Sequence, residues 1–208
     1  MELKHFGRFT DVLHLSDLEI ARFIDTAVER IEQFKPAFVQ LNRLVDQKEP
    51  MRILDFGCGV GRNTVGMLEL SKKWIVTAYD NPNMIARGRK FYGERLQNDR
   101  LQMVSDWNEI IEDKTIEKNT FDAIFCCLVL QHIDQFQLRD YLADFAGLTN
   151  RLFVCGRRGL DEGWSDTGFI DVWLFIQENG FEAIELEKGL ADGKNPNDHH
   201  YGIFAPKR

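Results

Sequence analysis

Arg52-Ile-Leu-Asp-Phe-Gly-Cys-Gly-Val-Gly-Arg62 decides the architecture of this 208-residue chain. An apolar run ends in Asp55, glycines stand at the alternate positions Gly57, Gly59 and Gly61, and a helix-permissive stretch follows. A strand that turns at once into a helix needs residues that tolerate positive φ and admit a ligand close to the backbone, and glycine does both. A carboxylate at the strand's end repels a pyrophosphate and suits an ammonium or hydroxyl group. The dinucleotide fingerprint G-x-G-x-x-G is also missed by one place, since Arg62 stands where its last glycine belongs.

Outward from this bend, strand and helix patterns alternate, the grammar of a mostly parallel sheet covered on both faces. Strands are expected at Arg52–Phe56, Trp74–Tyr79, Leu101–Val104, Phe121–Leu128 and Arg151–Cys155. Two more, Glu182–Leu186 and Tyr201–Ala205, are joined by a polar loop with no helix between them. Helices are expected at Arg62–Ser71, Asn83–Gln97 and Gln135–Leu148, with another near Phe169–Asn179 closed by Gly180. Upstream, Ser16-Asp-Leu-Glu19 has the form of a capping box, and Ile20, Phe23, Ile24, Ala27, Val28 and Ile31 continue one helical face. A second helical segment runs to about Gln47. The expected organisation is a single domain over 1–208, with 1–50 a helical extension or lid and 51–208 the core.

A net charge of −7 argues against a nucleic-acid backbone as the main partner, because phosphate contacts demand a basic face. Cys58, Cys126, Cys127 and Cys155 form no C-x-x-C pair and read as reduced, mostly buried thiols of a cytoplasmic protein. The apolar run Ala123–Leu130 falls far short of the ~20 residues that span a bilayer. No metal site is expected, since His199 and His200 are neighbours on a strand pattern and face opposite sides. Nothing in the pattern selects an oligomeric state.

Three further acidic or apolar signals join the bend. Asp80 ends Val76-Thr-Ala-Tyr-Asp80, about 20 places beyond the glycines, where a carboxylate can accept from both hydroxyls of a ribose. Asp106 ends Met103-Val-Ser-Asp106 and is followed by Trp107, whose indole suits stacking on a base. Phe121-Asp-Ala-Ile-Phe-Cys-Cys-Leu-Val-Leu-Gln-His-Ile133 is a strand that breaks into a short apolar turn. Together, from about Met51 to Ala205, these resemble the class I S-adenosylmethionine (SAM)-dependent methyltransferases.

The resemblance implies a Rossmann-like α/β fold, a doubly wound seven-stranded sheet in the order 3-2-1-4-5-7-6 with an N-terminal helical lid. It places SAM in the crevice where the strand order reverses. It implies that Asp55, Gly57, Cys58, Gly59 and Gly61 form the cofactor loop and that Asp80 holds the ribose. Asn81, Pro82 and Met84 would border the adenine, Asp106 would meet its amino group, and Trp107 would lie against its ring. Carbonyls of Cys126 and Cys127 would face the methionine ammonium, and His132 would point toward the acceptor as the candidate catalytic group. Arg157 and Trp164 are candidate substrate contacts, with Arg158, Glu162, His199 and His200 as further polar groups. Phe6, Phe9 and Phe23 could line a lid.

The implied reaction is methyl transfer to oxygen or nitrogen of a small-molecule acceptor. It is an in-line displacement from a cationic sulfur, so alignment dominates and can supply about 7–11 kcal/mol. A general base is needed only where the nucleophile arrives protonated. The alternatives are a protein methyltransferase and a non-catalytic SAM-binding regulatory module. Aminopropyl transfer uses the same fold, but its paired acidic acceptor motif is not apparent.

Overall fold

The computed structural model describes residues 16–25, 39, 50–92, 99–112, 120–156, 172–187 and 200–208. Helix α1 spans Asp17–Asp25, followed by β1 (Met51–Phe56), α2 (Arg62–Leu70), β2 (Trp74–Tyr79) and α3 (Pro82–Tyr92). Next come β3 (Leu101–Val104), α4 (Trp107–Ile111), β4 (Ala123–Cys127), a 3₁₀ turn (Leu130–His132) and α5 (Gln135–Leu148). β5 (Leu152–Gly156), α6 (Val172–Glu178), β6 (Phe181–Glu187) and β7 (His200–Pro206) complete the order.

The seven strands form one sheet in the order β3-β2-β1-β4-β5-β7-β6, as the sequence resemblance implied. The first five run parallel to one another, while β7 runs antiparallel between β5 and β6. β1 is buried at every position but Arg52, which explains its unbroken apolar run: a central parallel strand is covered on both faces. On one face Ile53, Val76, Phe125, Phe153 and Ile203 pack with Met67 and Leu68 of α2. On the other, Leu54, Ile124, Leu152 and Phe204 pack with Leu138, Leu142 and Phe145 of α5 and with Trp173 and Ile176 of α6.

Helix starts follow local chemistry. Ser16 and Glu19 form the expected capping box: the Ser16 N–H donates to Glu19 Oε2 at 2.8 Å. The helical face expected through Ile31 leaves the described part after Asp25; residues 26–38 lie outside it, as do 40–49 of the second helical segment, Phe6 and Phe9. Asp134 accepts from the Phe136 N–H at 2.9 Å and starts α5. β4 is shorter than its apolar pattern. Phe121 makes only an isolated bridge to Thr149, and Leu128 leaves the strand with φ 59°. The sheet ends at β6, whose pairing with β7 slips between Ala183 and Glu185. No helix among the described residues is long and apolar enough to cross a membrane.

Candidate active site

In the sheet Phe56 pairs with Cys126, so the bend after β1 and the turn after β4 leave the sheet side by side. The strand order reverses there, and crevices open at such points in parallel sheets. Gly57, Gly59 and Gly61 have φ of 73°, 61° and 88°, so each glycine is required by conformation. The loop is held by its own backbone. Gly57 and Cys58 donate to the Tyr79 carbonyl at 2.9 and 3.0 Å, and Gly61 donates to the Cys58 carbonyl at 2.8 Å. The Gly59 N–H donates to Asp80 Oδ2 at 2.7 Å. With these four N–H groups committed, the bend is no cradle for a phosphate, whose recognition needs free, convergent donors.

Gly57 has a second reason to be glycine. A Cβ there would lie 2.4 and 2.5 Å from the two methyls of Val129, in the turn after β4. At Gly59 the same atom would meet nothing within 4 Å. Gly57→Ala should therefore destabilise the fold by about 2–5 kcal/mol, combining left-handed strain with overpacking. Gly59→Ala should cost about 1–2 kcal/mol from the backbone alone. Urea denaturation of both variants checks the difference.

Asp80 ties the bend to the start of α3. Its Oδ1 accepts from the Asn81 N–H and side-chain amide at 2.7 and 2.8 Å, while Oδ2 holds Gly59. Asn81 Oδ1 in turn accepts from Asn83 and Met84 N–H groups at 3.0 and 3.2 Å, which starts α3. Burial raises the Asp80 carboxyl above the ordinary aspartate range, with the bonds from Gly59 and Asn81 opposing the shift.

Asp55 is 1% exposed and faces the first turn of α2, where the Thr64 hydroxyl donates to its Oδ2 at 2.5 Å. Burial pushes this carboxyl up to about 7; the Thr64 bond opposes the shift, and Cys127 and Asp80 nearby add to it. In the same first turn of α2, Asn63 Oδ1 is buried without a hydrogen-bond donor among the described residues. Two acidic groups raised by burial favour a ligand that brings positive charge and donors. An ammonium with ribose hydroxyls has that chemistry; a polyphosphate does not.

The other expected residues fall as follows. Cys58 is buried against Ala78 and Ile85, its thiol donating to the Gly59 carbonyl at 3.4 Å. Burial raises the Cys58 and Cys126 thiols, whereas Cys127 is half-buried. Met84 is 1% exposed. Asp106 is exposed and caps α4 through the Asn108 N–H at 2.9 Å. Trp107 is half-buried, its indole N–H donating to Asp144 Oδ2 at 2.8 Å. Its ring meets Tyr79, Tyr141 and Phe56 edge-on at centroid distances of 5.1, 5.2 and 5.4 Å. His132 is half-buried at the end of the 3₁₀ turn, its N–H bonded to the Val129 carbonyl at 2.9 Å. Arg157, Arg158, Glu162, Trp164 and His199 lie outside the described residues.

Three contributors escape sequence reading: Thr64, Leu128 and Val129. A Thr in the first turn after a glycine bend is a usable signal. The other two carry none, since their role depends on which turn lies beside them.

Residues 53–151 match the family model described as a methyltransferase domain. That stretch carries the glycine bend and β1–β4, and the sheet order is that of the class I SAM-dependent methyltransferase fold. Solved methyltransferases share its fold. The methyltransferase domain of bacterial CtHen1 matches with a TM-score of 0.60 at 18% identity, over 84% of this chain and 98% of its own. Magnesium protoporphyrin IX methyltransferase (ChlM) from Synechocystis PCC 6803, solved with bound SAM, gives 0.60 at 14% identity, over 99% of this chain and 92% of its own. The glycopeptide N-methyltransferase MtfA, complexed with SAM, gives 0.60 at 15% identity, over 82% and 87%. Such identities speak for the fold of this chain, not for an acceptor. No curated protein matches it in sequence.

Proposed function

We propose that this chain moves a methyl group from SAM to oxygen or nitrogen of a small-molecule acceptor in the crevice between β1 and β4. The observation that carries the cofactor half is the joining of Asp55, the glycine bend and Asp80 at the point of strand reversal. Asp80 would accept from the ribose, and Asp55 would balance the methionine ammonium. Asn81, Met84, Asp106 and Trp107 would border the adenine, and carbonyls of Cys126 and Cys127 would complete the ammonium contacts. When bound, SAM supplies an electrophilic methyl on a good leaving group. The chain's own residues then need to hold that methyl, exclude water and present the acceptor in line. His132, closing the turn after β4, would take the proton from an acceptor that arrives protonated.

For the acceptor, the net charge of −7 disfavours nucleic acid. Two fold relatives are named for a porphyrin and a glycopeptide, acceptors unlike each other, so the sheet supports several classes. Calorimetric titration with SAM and S-adenosylhomocysteine tests the cofactor half; a folded sample that binds neither rejects it. Incubation with labelled SAM and a metabolite pool tests the acceptor half. Label found in protein instead would move the acceptor to the alternative class.

A further inference from the structure

We infer that Leu128 is a positioning residue whose left-handed backbone locks the cofactor bend to the turn that carries His132. Resting on the cofactor role proposed above, the inference starts from a conformational anomaly. Leu128 is the one non-glycine residue with positive φ among those described, at 59°. Side chains other than Gly, Asn and Asp rarely enter this region, because Cβ crowds the following carbonyl. Strained residues of this kind persist where the surroundings over-determine them, and they gather at functional sites.

The surroundings here are specific. Leu128 follows the last residue of β4, and its reversal sends the next side chain, Val129, against Gly57 in the bend after β1. The Val129 methyls take the space that a side chain at Gly57 would need, so the two turns interlock. Val129 also packs against the apolar cluster below, and Leu130 beside it is buried at 2% exposure. The chain then closes a 3₁₀ turn, with the His132 N–H on the Val129 carbonyl and the Ile133 N–H on the Leu130 carbonyl. An extended Leu128 would continue β4 and swing Val129 to the other side, as successive strand residues alternate. Gly57 would lose its backing, and His132 would leave the crevice edge. The left-handed step therefore sets two halves of the site at once, the bend under the cofactor and the group facing the acceptor.

The test compares Leu128→Val with Leu128→Asn, using S-adenosylhomocysteine as the probe. A β-branched side chain tolerates this backbone region worst, whereas Asn enters it readily. Calorimetric titration is run at a temperature where scanning calorimetry shows each variant folded. The expected result is affinity at least about tenfold weaker for Leu128→Val and within about threefold of the parent chain for Leu128→Asn. Affinity near the parent's for Leu128→Val overturns the inference, as does equal weakening in both variants, which would assign the effect to the leucine side chain. Should Leu128→Val fail to fold, Val129→Ala decides. It keeps the backbone and removes the methyls behind Gly57. At least about fivefold weaker binding supports the interlock, and unchanged binding overturns it. Absence of binding by the parent chain would remove the cofactor assignment and this inference with it, and that outcome is read in a separate arm.

Discussion

Asp80→Ala should weaken SAM binding by about 100-fold or more while leaving the chain folded. Two ribose hydroxyls donating to one carboxylate are charge-assisted bonds of about 1.5–3 kcal/mol each. Asp80 also organises the bend through Gly59 and the start of α3 through Asn81, so the loss is not confined to the ribose. The freed Gly59 N–H lies on a half-buried residue that water can reach, which keeps the structural penalty small. Calorimetric titration together with a thermal melt of the free protein separates the two effects. Unchanged affinity would take the ribose role away from Asp80.

Asp55→Asn should also weaken SAM binding, by about 30-fold or more, because it removes the buried charge opposite the ammonium. Its second signature is in pH. In the free protein burial pushes the Asp55 carboxyl up to about 7, so folding holds a proton that the unfolded chain releases at ordinary aspartate pH. The stability this gives is fully present at acid pH and is lost as pH rises to about 7, at about 1.4 kcal/mol per pH unit. Asn has no such loss, so the variant should gain on the parent chain across that interval in urea titrations and hold its gain above it. Binding has the opposite slope: the ammonium needs the ionised carboxylate. Affinity of the parent chain should rise about fivefold from about pH 6 to a maximum between about pH 7 and 8, then fall as the amine of SAM itself deprotonates. A flat profile in the parent, or the same slope in Asp55→Asn, would remove Asp55 from the ammonium contact.

The fold was legible because its signals are local. A glycine bend, apolar runs ended by Asp55 and Asp80, and a polar loop between the last two strands all lie within short stretches, and the resemblance ordered them. What the sequence did not disclose depends on register between distant stretches. Val129 opposes Gly57 only because β1 and β4 pair as they do, with Phe56 beside Cys126. The early end of β4 turns on a backbone angle at Leu128 that an apolar residue does not advertise. Trp107 read as a face for a base. In the fold its indole N–H bonds Asp144 on α5, and its ring joins an aromatic cluster with Phe56, Tyr79 and Tyr141, contacts that no local stretch of sequence shows.

The slip in pairing at β6 bears on how copies of this chain behave in a crowded solution. β6 ends the sheet, and it carries the exposed apolar residues Ile184 and Leu186 on a strand whose backbone could template another. The irregularity between Ala183 and Glu185, with acidic Glu182 and Glu185 alongside, breaks the flat repeat that edge-to-edge association requires. An identical strand brought up to it would meet like charge and a mismatched ladder, which disfavours pairing of two copies along this edge.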